Sequence, residues 1–255
     1  MTSCGFNSAI DAEGNVTIRE SSPLMRSHGT RTFQHLKRTQ KISHDPKYIQ
    51  RVDRVASRIF KAINLPKSEW EFVIFKDHSP NAFCLPGGKV GINTGLFRVT
   101  GDNDALLAAV LGHEISHATA NHAEQRMHHA LGMLIGGALI WHVLDNNNSD
   151  HNAEAVAAFV ASTYLIDSLP LSRRQEYESD KMSAIFMAKA GYDPRKAVVL
   201  WKLMSSSHFR KKVKTPTFLR THPHNEDRIR ALENFMPIAM RHYQQSKKSH
   251  THQNR

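Results

Sequence analysis

The stretch His113-Glu114-Ile115-Ser116-His117 decides how this chain is read, because it lies inside an apolar run that begins near Ala105 and reads as helix. Two histidines four apart project from one face of a helix. Both imidazoles can then reach one zinc ion, with the intervening glutamate beside the metal's open coordination site. A bare five-residue match also arises by chance, and the alternative is a buried helix holding two satisfied histidines and a stray glutamate. The flanks favour the metal. Asp102 and Asp104 offer acceptor side chains and negative charge at a helix start, and Leu106, Leu107, Val110 and Leu111 give the i, i+3, i+4 stripe of a core-facing helix.

A second helix is expected from Ser172, paired with Gln175 in a capping box, to Ala190, where Gly191 and Pro194 stop it. Glu176 and Asp180 then lie one turn apart on a single face. Catalytic zinc usually takes three protein ligands and keeps a fourth position for water, so two histidines need one more ligand from elsewhere. Glu176 is the candidate. Asp180 is placed to accept the free ring N–H of a zinc histidine and fix its tautomer. Solvated surface acids are the alternative for both.

With these segments in place, the sequence resembles the zinc metallopeptidases that include the CAAX prenyl protease, HtpX and the Oma-type proteases, and most of all the Oma-type and bacterial periplasmic branch. Four blocks carry the resemblance: Asn81 to Gly88 with Asn93 to Leu96; His113 to His122; Ser172 to Asp180 with Ala190 to Pro194; and Thr221-His222-Pro223 with Arg228. They span the chain from about Trp70 to about Leu232. The resemblance implies a zinc endopeptidase with one Zn²⁺ per chain, ligated by His113, His117 and Glu176, with Glu114 as catalytic base. It also offers His222 as the donor to the oxyanion of the tetrahedral intermediate, with Pro223 holding that histidine extended; a loop histidine capping the last helix is the alternative. His122 fits the second block but lies outside the five-residue motif, and is expected to support the site from behind or to face solvent. Asn81, Ala82 and Phe83 open a short strand that Pro86-Gly87-Gly88 turns back, and the resemblance puts it at the sheet edge where an extended substrate pairs. An ordinary hairpin that merely packs is the alternative.

The fold class expected is α+β and mostly helical: a zincin-like metallopeptidase domain with a small β-sheet. At 255 residues and 40% hydrophobic content the chain can build one sizeable core. Residues 1–44 lack apolar periodicity and are expected to form a flexible leader or tether. The catalytic domain is assigned to 45–243, starting at the N-cap Asp45 with Pro46 behind it, followed by a helical face of Tyr48, Ile49, Val52, Val55, Ala56, Ile59, Phe60 and Ile63, then a strand over Glu71 to Lys76. Within it, 131–166 reads as an apolar helical hairpin whose two arms are each shorter than the roughly 20 residues a membrane span needs. Residues 244–255 read as a frayed basic tail.

The formal charge of +11 is concentrated in the leader, in Arg210 to Lys214 and in the tail. With no nucleic-acid-binding motif and no interleaved aromatics, an anionic membrane surface is the expected partner and nucleic acid is not. Cys4 and Cys84 are too few for a disulfide framework. Met1 to Gly5 resembles the end of a lipoprotein signal, which would tether Cys4 in a bacterial envelope, against the alternative of an incidental cysteine. The function expected is endoproteolysis of unfolded or membrane-associated proteins in quality control. The alternatives are a zinc-bound chaperone that holds unfolded segments without cutting them, and a basic peripheral binder with a vestigial site.

Overall fold

Pro at the first helical position behind a side-chain N-cap occurs twice near the start of this chain, and both begin helices. Ser22 caps α1 (Pro23–Thr39), and Asp45 accepts from Lys47 N–H to cap α2 (Pro46–Ile63). The computed structural model describes residues 8–132, 173–206, 222 and 226–253. After α2 come β1 (Glu71–Phe75), β2 (Ala82–Leu85), β3 (Lys89–Asn93), α3 (Leu96–Thr100) and α4 (Asp104–Thr119), then helices α5 (122–132) and α6 (173–189), α7 (Arg195–Ser205) and α8 (Glu226–Gln253).

The three strands form one sheet in the order β1-β3-β2, with β1 parallel and β2 antiparallel to β3. β2 is therefore an edge strand. Gly87 and Gly88 turn the β2–β3 hairpin at φ values of 82° and 70°, where a side chain would be strained. The ring of Phe83 lies across Gly91 and stacks on Phe75 at 6.2 Å. Leu85 follows in the same strand, while Ala82 turns fully into the core.

Helix α4 is the central element, buried from Leu106 to His117 on nearly every face. Val55, Ala56, Ile59 and Phe60 of α2 and Leu107, Leu111 and Ile115 of α4 belong to one continuous core. Asp104 joins the two helices by accepting from Arg51 Nε at 2.9 Å and from Arg54. On its other side α4 meets α6 closely: Ser183 Oγ donates to the Ala109 carbonyl at 2.9 Å, and a Cβ on Gly112 would sit 2.7 Å from that hydroxyl. A glycine one residue before His113 lets the two helices approach.

Several expectations are corrected. Asn103, not Asp102 or Asp104, caps α4 by accepting from Ala105 and Leu106 N–H; Asp104 is engaged by the arginines. Ile49 is 45% exposed rather than part of the α2 core face. From residue 8 onward the leader is folded. Ile10 pairs with Val16 around an Asp11-centred turn, Ala9 and Ile10 are buried, Arg19 N–H donates to the Thr119 carbonyl, and α1 packs Phe33 edge-on against Phe75. Its anchors are isolated buried residues and backbone bonds, which leave no periodic signal. The basic tail is likewise helical through Gln253, with Ser246 Oγ bonded to the Ala188 carbonyl at 2.8 Å. Acids open this helix and basic residues close it, in line with its dipole. The hairpin expected over 131–166 lies outside the described residues from 133 onward, as does Ser172. No helix among the described residues is long and apolar enough to cross a membrane.

Candidate metal centre

Four buried side chains from three parts of the chain, two of them on α4, converge on one point. Ligand atoms of His113, His117, Glu176 and His222 all lie within 4.8 Å of one another. His113 Nε2 and His117 Nε2 face each other at 3.1 Å, as the one-turn spacing on α4 requires. From α6, Glu176 places its oxygens 3.2 Å from each of those nitrogens. His222 Nδ1 comes within 3.0 Å of Glu176 and 3.3 Å of His113.

Such a crowd of nitrogens and carboxylate oxygens, all buried, suits a divalent cation better than it suits itself. Burial disfavours the charge on Glu176, yet His117, His113 and His222 hold its carboxyl well below the usual range, so it is anionic. His117 is pushed well below its ordinary value, by burial first, and its imidazole is neutral. Burial would lower His113 as well, but hydrogen bonds to Asp180 and Glu176 outweigh it and draw the group up to about 9. A cation bound here would take the place of the His113 proton, leaving imidazole and carboxylate donors around one point, which is the ligand chemistry of zinc.

The groups behind the donors are equally ordered. Asp180 Oδ1 lies 3.1 Å from His113 Nδ1, the ring nitrogen turned away from the cluster. Arg228 of α8 is 2% exposed and grips Asp180 with two bonds of 2.9 Å while reaching Glu176 at 2.9 Å. Its guanidinium stacks over Trp201 of α7 at 4.8 Å, and the Trp201 ring meets His113 edge-on at 5.4 Å. The buried Asp180–Arg228 pair thus spans α6 and α8 directly behind the donor cluster.

Glu114, also buried, turns the other way. Burial raises its carboxyl above the ordinary value, and Glu176 adds to that, while His222, His113 and the Cys84 backbone N–H pull it back. Its Oε1 lies 3.3 Å from His222 Nε2. The Cys84 contact sets the edge strand β2 beside Glu114. Ala82 and Phe83, earlier in that strand, have side chains occupied in packing, and among the described strands β2 pairs with β3 alone.

Of the site residues expected from sequence, His113, His117, Glu114, Glu176, Asp180 and His222 are neighbours in space, with one difference. His222 stands among the donor atoms, with Nδ1 toward Glu176 and His113. Sequence reasoning assigned no role to Arg228, Trp201 or Glu178, and left His122 open. No spacing rule points to the first two, because their partners lie on other helices. Glu178 carried only the hint of sharing a turn with Glu176.

Comparison with known proteins fits this geometry. The model of peptidase family M48 matches residues 46–236. The chain is 32% identical over 188 residues to the mitochondrial metalloendopeptidase OMA1 of Schizosaccharomyces pombe, covering 74% of this chain and 53% of that protein. It is 32% identical over 183 residues to human OMA1, covering 68% and 34%. Over 200 residues it is 26% identical to the β-barrel assembly-enhancing protease of Escherichia coli, covering 77% and 40%. The chain spans about half the length of the yeast relatives it matches.

Proposed function

This chain belongs to peptidase family M48, and on that premise we propose that it is a zinc-dependent endopeptidase with His113, His117 and Glu176 as metal ligands and Glu114 as general base. The observation that carries the reading is the convergence of these donors with a separate buried carboxyl beside them. A site that only binds has no need of that carboxyl, which weighs against the chaperone reading. When bound, zinc supplies Lewis acidity and lowers the pKa of a coordinated water to about 7.

The chain's own residues do the rest. Glu114, its carboxyl raised by burial, takes a proton at its carboxylate and returns it to the leaving amine. Asp180, held by Arg228, fixes the ring of His113. The backbone of edge strand β2 pairs with an extended substrate segment, giving affinity with little sequence preference. His222 was expected to donate to the oxyanion. Its position among the other donors favours a second role, as a fourth residue that would hold the ion. Because a catalytic zinc keeps one position for water, His222 would then be a ligand of the resting site only.

Unfolded or membrane-associated proteins are the proposed substrates, in quality control near an anionic membrane surface, as the net charge of +11 suits. Relatives named as mitochondrial and relatives from bacteria both match, so a mitochondrial setting stands beside the bacterial envelope, and acyl labelling of Cys4 distinguishes the lipidated form. The test of the activity is cleavage of casein by the zinc-loaded chain. Chelation by phenanthroline is expected to abolish cleavage, and added zinc to restore it. Cleavage that persists in the chelator overturns the metal reading.

A further inference from the structure

We infer that His122 is a positioning residue that fixes the tautomer of His117, and that the N-terminal segment from Ser8 anchors this arrangement through Glu178. The inference rests on the proposed role of His117 as a metal ligand.

Nε2 of His117 faces the donor cluster, so its other nitrogen, Nδ1, must carry the ring proton when the residue is a neutral ligand. That nitrogen lies 2.9 Å from Nδ1 of His122. Ser179 Oγ also approaches the His122 nitrogen, at 3.4 Å. An acceptor is needed at His122 Nδ1, which puts the His122 proton on Nε2. There it meets Glu178 Oε2 at 3.2 Å. Glu178 in turn receives the Ala9 backbone N–H and, at 3.0 Å, the Ser8 hydroxyl. Each donor in the series faces one acceptor, and each link fixes the proton order of the next. His122 is fully buried and Glu178 nearly so, which shields the two bonds made by His122 from water.

The two α4 ligands are thus supported differently. His113 is backed by a carboxylate, Asp180, tied to Arg228 of α8. His117 is backed by a second imidazole, and the carboxylate stands one step further out, tied to chain more than 160 residues away. The turn that presents Ser8 and Ala9 is itself held: Asp11 caps it through Asn15, and Gly14 fits against Ile185 and Ile238, where a Cβ would come within 3.0 Å. The N-terminal segment is in this sense part of the metal centre without touching it.

The test compares zinc affinity, by competition with a chromophoric chelator, and the visible spectrum of the cobalt-substituted protein for wild type, His122→Ala, His122→Asn and His122→Gln. An asparagine amide reaches the place of Nδ1 and can still accept from His117; a glutamine amide reaches the place of Nε2 and meets only Glu178. His122→Ala and His122→Gln are expected to lose about 10- to 100-fold in affinity and to shift the cobalt bands. His122→Asn is expected to keep most of both. Should His122→Ala fail to fold, the Asn and Gln pair, matched for apoprotein Tm, decides alone. Equal affinity and identical spectra for Asn and Gln overturn the inference. Failure of wild type to take up one equivalent of either metal overturns instead the metal-site reading beneath it.

Discussion

At the scale of single residues, the site works by giving similar groups unlike surroundings. Glu176 and Glu114 are both buried glutamates within reach of His222, yet one is held far below its ordinary pKa by histidines and the other is raised by burial. In the proposed reading the first is the metal ligand and the second, with its carboxyl raised, the general base. His222 touches both, and its two candidate roles separate cleanly. With His222 filling a donor position, His222→Ala is predicted to weaken zinc retention while turnover at full zinc loading is kept. A fall of about 10²–10³-fold in kcat at full loading would restore the oxyanion role instead. Steady-state kinetics with metal content measured on the same samples distinguishes them.

Among the elements, α1 and the α2–α4 pair are the places where packing can be tested apart from chemistry. Helix α1 buries Met25, Gly29 and Phe33, which lie four residues apart on one face. With a glycine at its centre, that face does not read as an apolar stripe, so periodicity alone does not reveal the helix. A Cβ at Gly29 would stand 2.1 Å from the Pro86 carbonyl oxygen. Gly29→Ala is therefore predicted to destabilise by about 1–3 kcal/mol, despite its better helix propensity; a urea midpoint that does not fall would mean α1 is not docked on the hairpin.

Asp104 supplies the pH dependence. Burial raises its carboxyl, but Arg51 and Arg54 outweigh that and hold it below its ordinary value. A depressed folded-state pKa contributes stability that is complete above the unfolded value of about 3.9 and is lost as pH falls through the lower, folded value. Asp104→Asn is predicted to cost about 1–2 kcal/mol at pH 7, discounted for the exposure of Arg54, and to cost less near pH 3. Urea unfolding at the two pH values measures it, and a cost unchanged by pH would contradict the assignment.

Over the whole molecule, the parts legible in the sequence are those whose partners lie within one helix or hairpin. His113 and His117 share a turn of α4, Glu176 and Asp180 share a turn of α6, and the Pro86-Gly87-Gly88 turn dictates the β2–β3 pairing. What closes the site comes from afar: Arg228 and Trp201 behind His113, Glu178 and Ser8 behind His117. Such contacts are set by how helices cross, and a position such as Gly112 permits a crossing without naming it. The central claim is that this assembled site hydrolyses peptide bonds with Glu114 as base. Its most direct test is casein cleavage by wild type beside Glu114→Gln, purified alike and matched for zinc. The account predicts that wild type cuts and that the variant, holding the same zinc, cuts at least about 100-fold more slowly; equal cutting by the two would contradict it.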